Sequence, residues 1–136
     1  MLIFVGAPGS GKSTFYREYL SSSHIRLNND TIKNPKKALL RTTENLLAGK
    51  NVVIDNLNAS LGIRQTYIDL AKEAGIKTVR CIYFQTDKET CLVNNDLRKL
   101  ADSTKGYLHM SGNVSKIVIH TYFKNHVPPT TKEGFT

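Results

Sequence analysis

A glycine-rich segment near the start of the chain combines a lysine and a hydroxyl side chain at fixed spacing. Gly6, Gly11, Lys12 and Ser13 satisfy the pattern Gly-x4-Gly-Lys-Ser/Thr, directly after the apolar run 2–5. Glycines let backbone N–H groups curl around an anion, and the amino end of a following helix adds a favourable dipole. In this pattern the lysine reaches the β- and γ-phosphates and the serine hydroxyl ligates Mg²⁺. The segment therefore predicts a site for ATP and Mg²⁺. The residues expected to bind ATP are Gly6, Gly9, Ser10, Gly11, Lys12, Ser13 and Thr14.

Asp55 is the acid expected to help Ser13 hold the metal. It closes the apolar run 52–54, and an aspartate at the end of such a strand commonly binds Mg²⁺ directly or through water. The alternative is an ordinary turn or helix-capping aspartate.

Asp30 is the candidate general base. It follows the short apolar strand 25–27, where it could orient an acceptor hydroxyl opposite the γ-phosphate and take its proton. Lys33, three residues later, could neutralise a phosphate of the acceptor. The alternative for Asp30 is a turn residue that caps a helix.

Basic residues after position 86 could neutralise negative charge on the phosphoryl group that is transferred. Arg98 is the candidate catalytic arginine, because a planar guanidinium binds phosphate oxygens in pairs. Together with Lys99 and Lys105 it would lie on a mobile lid around 87–113. A solvated basic face is the alternative.

Length and composition favour one domain over 1–136 with a polyanionic partner. The chain has 136 residues and a formal net charge of +8. Basic residues concentrate between Arg26 and Arg41, a stretch that could track phosphates, and Arg41 is a candidate for binding them. No apolar run is long enough to span a membrane, and no signal peptide is evident. The two cysteines are expected to be reduced. These features together predict an intracellular protein, cytoplasmic or nuclear and not secreted.

Apolar runs alternate with helical periodicity along the whole chain. The predicted strands are 2–5, 25–27, 52–54 and 79–84, and helices are expected to begin near 15, 35, 60, 87 and 114. This order predicts an α/β fold with a parallel sheet of about four strands between helices. Loops after the strand ends should therefore gather at one edge. The helix residues expected to face the core include Phe15, Tyr19, Leu39, Leu46, Leu47, Ile63, Tyr67, Val93, Leu97 and Leu100. A capping box, Thr86 to Glu89, is expected to start the helix near 87.

The chain resembles the kinase domain of the polynucleotide kinase 3′-phosphatase family over almost its whole length. The matching segments are VGAPGSGKSTF from Val5, LNNDT from Leu27, VVIDNLN from Val52, Asn94-Asn95 with Arg98, and a late Pro-Thr-x-x-Glu-Gly-Phe. The glycine motif is common to many kinases, whereas the other segments are more specific.

The resemblance implies transfer of the γ-phosphate of ATP to the 5′-hydroxyl end of DNA or RNA, with Mg²⁺. It implies Asp30 as general base, Lys12 and Ser13 as phosphate and metal residues, and Arg98 as a lid arginine. Lys33 falls where a basic residue that contacts the acceptor phosphate is expected. Asp55 and Asn58 match the family's Ile-Asp-Asn-x-Asn segment at the edge of the active site, and Asn58 is expected to bind substrate.

The sequence departs from the family in three respects. No Asp-x-Asp-Gly-Thr motif is present, so 3′-phosphatase activity is not expected. Asp96 stands where relatives often have arginine. Residues 134–136 fall where the final strand of the family fold would begin, so either the sheet lacks that strand or the sequence is a trimmed or naturally short version.

Two other functions remain open from the residues. One is a small-molecule kinase acting on a nucleoside, sugar or antibiotic hydroxyl, and the other is a nucleotide-dependent nucleic-acid-binding module without catalysis. The sequence does not decide between DNA and RNA, between single-stranded and recessed ends, or among oligomeric states.

Overall fold

A four-stranded parallel sheet organises the chain. The computed structural model describes residues 1–103 and 114–136, apart from the side chains of residues 30 and 101–103. The strands are β1 (Leu2–Val5), β2 (Ile25–Leu27), β3 (Val52–Asp55) and β4 (Arg80–Tyr83). Their order is β2-β3-β1-β4, and each neighbouring pair is parallel. The α/β fold and the four strands predicted from the sequence are confirmed.

Within the part of the chain that the structure describes, six α-helices connect and cover the strands. Their bounds are α1 (Lys12–Phe15), which continues as a π-helical turn (Tyr16–Leu20), α2 (Asn29–Ile32), α3 (Pro35–Leu47), α4 (Leu61–Glu73), α5 (Lys88–Ser103) and α6 (Lys116–Asn125). A 3₁₀ turn, Thr131–Glu133, follows near the end of the chain. The part of the expected lid at 104–113, with Lys105, lies outside the described residues.

Local sequence signals explain where α3 and α4 begin. The side chain of Asn34 accepts a hydrogen bond from the backbone of Lys37 at 3.1 Å, and Pro35 is the first residue of α3. The hydroxyl of Ser60 accepts from the backbone of Ile63 at 3.4 Å. These caps satisfy N–H groups that a helix start leaves without an intrahelical partner.

The start of α5 differs from the expected capping box. Asp87 is the capping residue, because its carboxylate accepts from the backbone N–H of Thr90 at 2.9 Å and from the hydroxyl of Thr90 at 2.7 Å. These hydrogen bonds lower the pKa of Asp87. Thr86 instead donates its hydroxyl to the carbonyl of Ser10 at 2.9 Å. The expected capping residue therefore braces the glycine-rich loop.

The first helix also differs from prediction, since it begins at Lys12 within the glycine motif and not at Phe15. Tyr19, expected in the core, is 66% exposed, although its ring contacts that of Phe15 with centroids 5.0 Å apart. Phe15 packs edge-on against Phe4 and Phe84. One aromatic ring of the helix is thus enough to pack it against the sheet.

Several other apolar residues expected to face the core are exposed. Leu47 is 69% exposed, because α3 buries Ala38, Thr42 and Leu46 instead. The remaining exceptions are Ile63, Val93, Leu97 and Leu100. Helical periodicity defines an apolar stripe, but the neighbouring elements decide how much of it they cover.

Two apolar clusters lie on the elements that flank the sheet. The first joins the strands to α3 and α4 through residues such as Leu46, Tyr67 and Ile68. The second contains Ala7 and Cys91 together with Ile119 and Tyr122 of α6. Both cysteines are free thiols, as expected. The first cluster therefore packs α3 and α4 against the sheet, and the second packs α5 and α6 next to the loop that follows β1.

A buried ion pair connects α4 to the end of the chain. Arg64 is fully buried, and its Nε and Nη2 donate to the two carboxylate oxygens of Glu133 at 2.7 Å each. Its Nη1 donates to the carbonyls of Asn58 at 3.0 Å and Val127 at 2.9 Å. Glu133 also accepts from the backbone of Thr130 at 2.9 Å. These contacts lower the pKa of Glu133, the hydrogen bond from Arg64 most strongly.

Replacement of Glu133 by glutamine should destabilise the protein at neutral pH. The change leaves Arg64 as a buried charge without its carboxylate, which costs about 3 kcal/mol in the free energy of unfolding. A carboxyl group with a lowered pKa stabilises the fold above its unfolded pKa and ceases to do so as pH falls through its folded pKa. The difference between the two proteins should therefore be largest near pH 7 and shrink below about pH 4. Urea unfolding across this pH range measures it.

Asp69→Asn is the matched control. Asp69 lies on the exposed face of α4, with its carboxylate 3.9 Å from the ammonium of Lys72. Exposed pairs contribute about 0–1 kcal/mol, so this variant should unfold almost as the wild type does. Equal stability losses for both variants would show that the buried pair does not hold the C-terminal segment.

Candidate functional site

The loops after β1, β2 and β3 meet around one cavity. Phe4 pairs with Asp55 in the register of β1 and β3, so the glycine-rich loop and the loop after β3 leave the sheet side by side. The cavity has a volume of about 360 Å³. Its lining residues are Pro8, Gly9, Ser10, Lys12, Ser13, Asn28, Asn29, Asp55, Asn56, Leu57, Asn58, Ile63, Arg98, Val114 and Val118. Gathering of the loops at one sheet edge, expected from the sequence, is what the structure shows.

The glycine-rich loop has a conformation that needs its glycines. Gly9 and Gly11 have φ angles of +82° and +98°, which L side chains rarely adopt. A Cβ atom on Gly9 would lie 2.4 Å from the carbonyl oxygen of Cys91. The loop therefore passes against α5 at a distance that only glycine permits.

Lys12 is buried and reaches back across this loop. Its ammonium donates to the carbonyl of Gly6 at 2.7 Å and to that of Ala7 at 2.8 Å. It also lies 3.5 Å from the hydroxyl of Ser10. The ammonium of Lys12 is thus held within the loop by backbone carbonyls.

Asparagines of α5 support the site in a way that sequence reasoning missed. The amide of Asn94 donates to the carbonyl of Gly9 at 2.8 Å. The side chain of Asn95 makes two hydrogen bonds with the backbone of Val114, at 2.8 and 2.9 Å. The Asn94-Asn95 pair was visible as part of the resemblance, but its structural role was not. Arg98, one turn further along α5, lines the cavity, and its catalytic role stays a prediction.

Ser13 and Asp55, the two proposed metal ligands, lie close together. Asp55 is only 2% exposed. One guanidinium, that of Arg26, contacts both groups: Nη2 donates to the Ser13 hydroxyl at 2.8 Å, and Nε donates to Asp55 Oδ2 at 2.6 Å. A hydroxyl and a carboxylate are the hard oxygen ligands that Mg²⁺ prefers. The two oxygen ligands therefore fit Mg²⁺, although the guanidinium of Arg26 already contacts both of them.

The turn after β2 is fixed to the loop after β3. The amide of Asn28 donates to the carbonyl of Asp55 at 2.8 Å, and the backbone N–H of Asn29 donates to Asn56 Oδ1 at 2.8 Å. Asp30 follows on α2, so its backbone lies next to two cavity-lining residues. The side chain of Asp30 lies outside the described part of the structure.

Asn58 lines the cavity and also links two strands of the sheet. It is buried with a φ of +46°, and its amide donates to the carbonyl of Phe4 at 2.7 Å and to that of Ile54 at 3.3 Å. Its Oδ1 atom has no hydrogen-bond partner among the described residues. Asn58 lines the cavity while linking β1 to β3, and a substrate contact through it stays a prediction.

Lys33 and Arg41 lie on the surface and are not part of the cavity lining. Both side chains are exposed, and Lys33 has a φ of +56° just after α2. Their positions leave them accessible to a partner larger than the cavity. A role for either residue in substrate binding stays a prediction.

The fold and the loop define the chain as a P-loop nucleotide-binding domain. The family described as AAA domain matches residues 34–110, more than half of the chain. The chain belongs to this family. The match begins after the glycine motif, so the loop geometry is independent support for the class.

Two curated relatives are similar along the whole chain. A putative bifunctional polynucleotide phosphatase/kinase of Acanthamoeba polyphaga mimivirus is 37% identical over 99% of this chain and 31% of its own length. A bifunctional polynucleotide phosphatase/kinase of Schizosaccharomyces pombe is 32% identical over 100% of this chain and 32% of its own length. The chain is homologous to these proteins and spans about a third of their length. The resemblance stated from the sequence is confirmed.

Within residues 1–103 and 114–136, no helix has the length and apolar character that crossing a membrane requires. The same residues contain no group of three or more histidine, cysteine or acidic side chains arranged around a metal position.

Replacement of Gly9 by alanine should weaken nucleotide binding and stability together. The added Cβ would contact the Cys91 carbonyl, and the positive φ adds strain of about 1–3 kcal/mol. We expect the dissociation constant of a fluorescent ATP analogue to rise at least tenfold and the urea midpoint to fall.

Gly62→Ala is the matched control. Gly62 lies within α4, and no atom is within 4 Å of the position of its added Cβ. Alanine there should leave nucleotide binding unchanged and stabilise the helix by about 0.5–1 kcal/mol. Unchanged nucleotide affinity in Gly9→Ala would contradict a nucleotide site in this loop.

Proposed function

We propose that this domain transfers the γ-phosphate of ATP to the 5′-hydroxyl end of DNA or RNA. The observation that carries the proposal is the shared cavity. Lys12 and Ser13 line it from the phosphate loop, and Asn28 and Asn29, directly before Asp30, line it from the turn after β2. ATP and the hydroxyl that accepts its phosphate could therefore meet within one site. The names of both relatives include a polynucleotide kinase activity, which supports the choice of acceptor.

The donor half of the reaction depends on charge neutralisation. Lys12 would leave the carbonyls of its own loop for the β- and γ-phosphates, and Arg98 would bind oxygens of the transferred group. Ser13 and Asp55 would hold Mg²⁺, which offsets charge on the phosphates when it is bound. Positioning and electrostatics supply most of the rate enhancement in phosphoryl transfer.

The acceptor half depends on Asp30. Its carboxylate would orient the 5′-hydroxyl for in-line attack and accept the proton as the new O–P bond forms and the bond to ADP breaks. The hydrogen bonds of Asn28 and Asn29 hold this turn beside the loop after β3, which lines the same cavity as the glycine-rich loop. Lys33 and Arg41, both exposed, would contact phosphates further along the strand.

The net charge of +8 favours a polyanionic acceptor over a neutral metabolite. No Asp-x-Asp-Gly-Thr motif occurs in these 136 residues, so the proposal covers the kinase reaction and not 3′-phosphate removal.

Asp30→Asn should separate chemistry from nucleotide binding. Loss of the general base should lower the transfer rate by about 10²–10⁴-fold, while the affinity for ATP stays within about twofold. Lys12→Ala should lower both affinity and rate. Labelled ATP with a 5′-hydroxyl oligonucleotide measures transfer, fluorescence titration measures binding, and Asp69→Asn serves as the control on an exposed acid. A normal rate in Asp30→Asn would remove the catalytic assignment.

A panel of acceptors distinguishes the proposed function from a small-molecule kinase. Oligonucleotides of DNA and RNA should be phosphorylated, with KM rising steeply between about 50 and 200 mM salt because several phosphates are contacted. A free nucleoside should be a poor acceptor with little salt dependence. Transfer to nucleosides alone would support the small-molecule alternative, and oligonucleotide binding without any product would support the non-catalytic module.

A further inference from the structure

The side chain of Arg26 lies where the metal site is expected. Its Nη2 atom donates to the hydroxyl of Ser13 at 2.8 Å and is 2.6 Å from Asp55 Oδ2, to which Nε also donates at 2.6 Å. The same guanidinium lies over the ring of Tyr16, with 5.6 Å from its carbon to the ring centroid. From the sequence Arg26 was only one member of a basic stretch. Its contacts instead place it inside the site.

These contacts use the oxygens that a metal ion would need. Mg²⁺ binds oxygen at about 2.0–2.1 Å in near-octahedral geometry, so it cannot share Ser13 Oγ and Asp55 Oδ2 with a guanidinium in this position. Like charges in a largely buried site also repel strongly, because solvent screening is weak there. A bound Mg²⁺ and the observed position of Arg26 are therefore mutually exclusive.

Binding of the triphosphate would shift the competition between Arg26 and Mg²⁺ towards the metal. The phosphates bring several negative charges and additional oxygen ligands for the metal. They also offer the guanidinium a new acceptor, since planar guanidinium groups bind phosphate oxygens in pairs. A side chain of this length at the edge of the site, about a quarter exposed, can turn away from Ser13 without moving β2.

We propose that Arg26 acts as a resident cation that holds Ser13 and Asp55 in place and excludes Mg²⁺ until the nucleotide arrives. The metal would then enter only together with the triphosphate, and the site would stay assembled in its absence. This inference rests on the metal role proposed for Ser13 and Asp55, and it assigns Arg26 a positioning role and not a catalytic one.

Metal binding without nucleotide tests the proposal. Mn²⁺, followed by electron paramagnetic resonance, should bind the wild-type protein weakly. Arg26→Gln removes the competing charge and should bind Mn²⁺ at least tenfold more tightly. Arg26→Lys keeps a charge near Asp55 and should stay within about threefold of the wild type. Arg80→Gln, an exposed arginine at the first residue of β4, is the control for net charge and should match the wild type.

Equal or weaker Mn²⁺ binding by Arg26→Gln would overturn the proposal, and so would a tenfold gain in Arg26→Lys or Arg80→Gln. Circular dichroism and urea unfolding establish that each variant is folded before titration. The Arg26 Nε–H resonance of the wild type reports the same contact without a mutation. It should shift more with Mg²⁺ and a non-hydrolysable ATP analogue than with the analogue alone, and an equal shift would also overturn the proposal.

Neither the Mn²⁺ affinity nor the shift of the Arg26 resonance depends on phosphoryl transfer. A wild-type protein that phosphorylates oligonucleotides while Arg26→Gln shows no gain in Mn²⁺ affinity would remove only the role of Arg26. A gain in Mn²⁺ affinity without any transfer to an acceptor would remove only the proposed kinase function.

Discussion

The buried contact between Arg64 and Glu133 holds together parts of the chain that are far apart in sequence. Removal of two charges from water is costly, and it is tolerated here because two hydrogen bonds of 2.7 Å join the guanidinium to the carboxylate. Both groups also make hydrogen bonds to the backbone. Arg64 also binds the carbonyl of Asn58, whose amide binds the carbonyl of Phe4 in β1. A continuous polar chain thus runs from the end of the protein to the strand that precedes the phosphate loop. Such a network favours one arrangement of the chain, because breaking any of these hydrogen bonds would leave a further buried polar group unpaired.

The sheet order explains why the site forms around the phosphate loop. Because β1 lies between β3 and β4, its loop is next to Asp55 on one side and close to the start of α5 on the other. Hydrogen bonds from Thr86 and Asn94 fix the carbonyls of Ser10 and Gly9. The loop is therefore held from outside as well as by its own glycines. This leaves its inner face to Lys12 and to the phosphates proposed to bind there.

Contacts with one positively charged side chain also hold the site together. Ser13 and Asp55 are positioned by the guanidinium of Arg26, which also packs over Tyr16. A carboxylate as buried as that of Asp55 needs a positive partner, and either an arginine or a metal ion can be that partner. The oxygens of Ser13 and Asp55 can therefore be held in place by Arg26 or by a metal ion.

Patterns with a local physical cause were predictable. The alternation of short apolar runs with helical periodicity predicted the strands, because a buried parallel strand is apolar on both faces. The helix starts near 35 and 60 were predictable as well, because the caps observed there, Asn34 and Ser60, act on N–H groups within one turn. The exposure of Leu47 and Ile63 was not predictable, because it depends on how neighbouring elements cover each helix. Asp87 replaced the expected capping box because Thr86 is engaged with the loop after β1.

By itself the sequence determined the α/β class, the glycine loop and the residues that end each strand, since these follow from backbone conformations and spacings of a few residues. Only the tertiary structure decided which polar groups meet. Arg26 is 29 residues from Asp55, and Arg64 is 69 residues from Glu133. No local spacing encodes such pairs. They arise because parallel strands bring distant segments to one edge, where a buried charge requires an opposite partner.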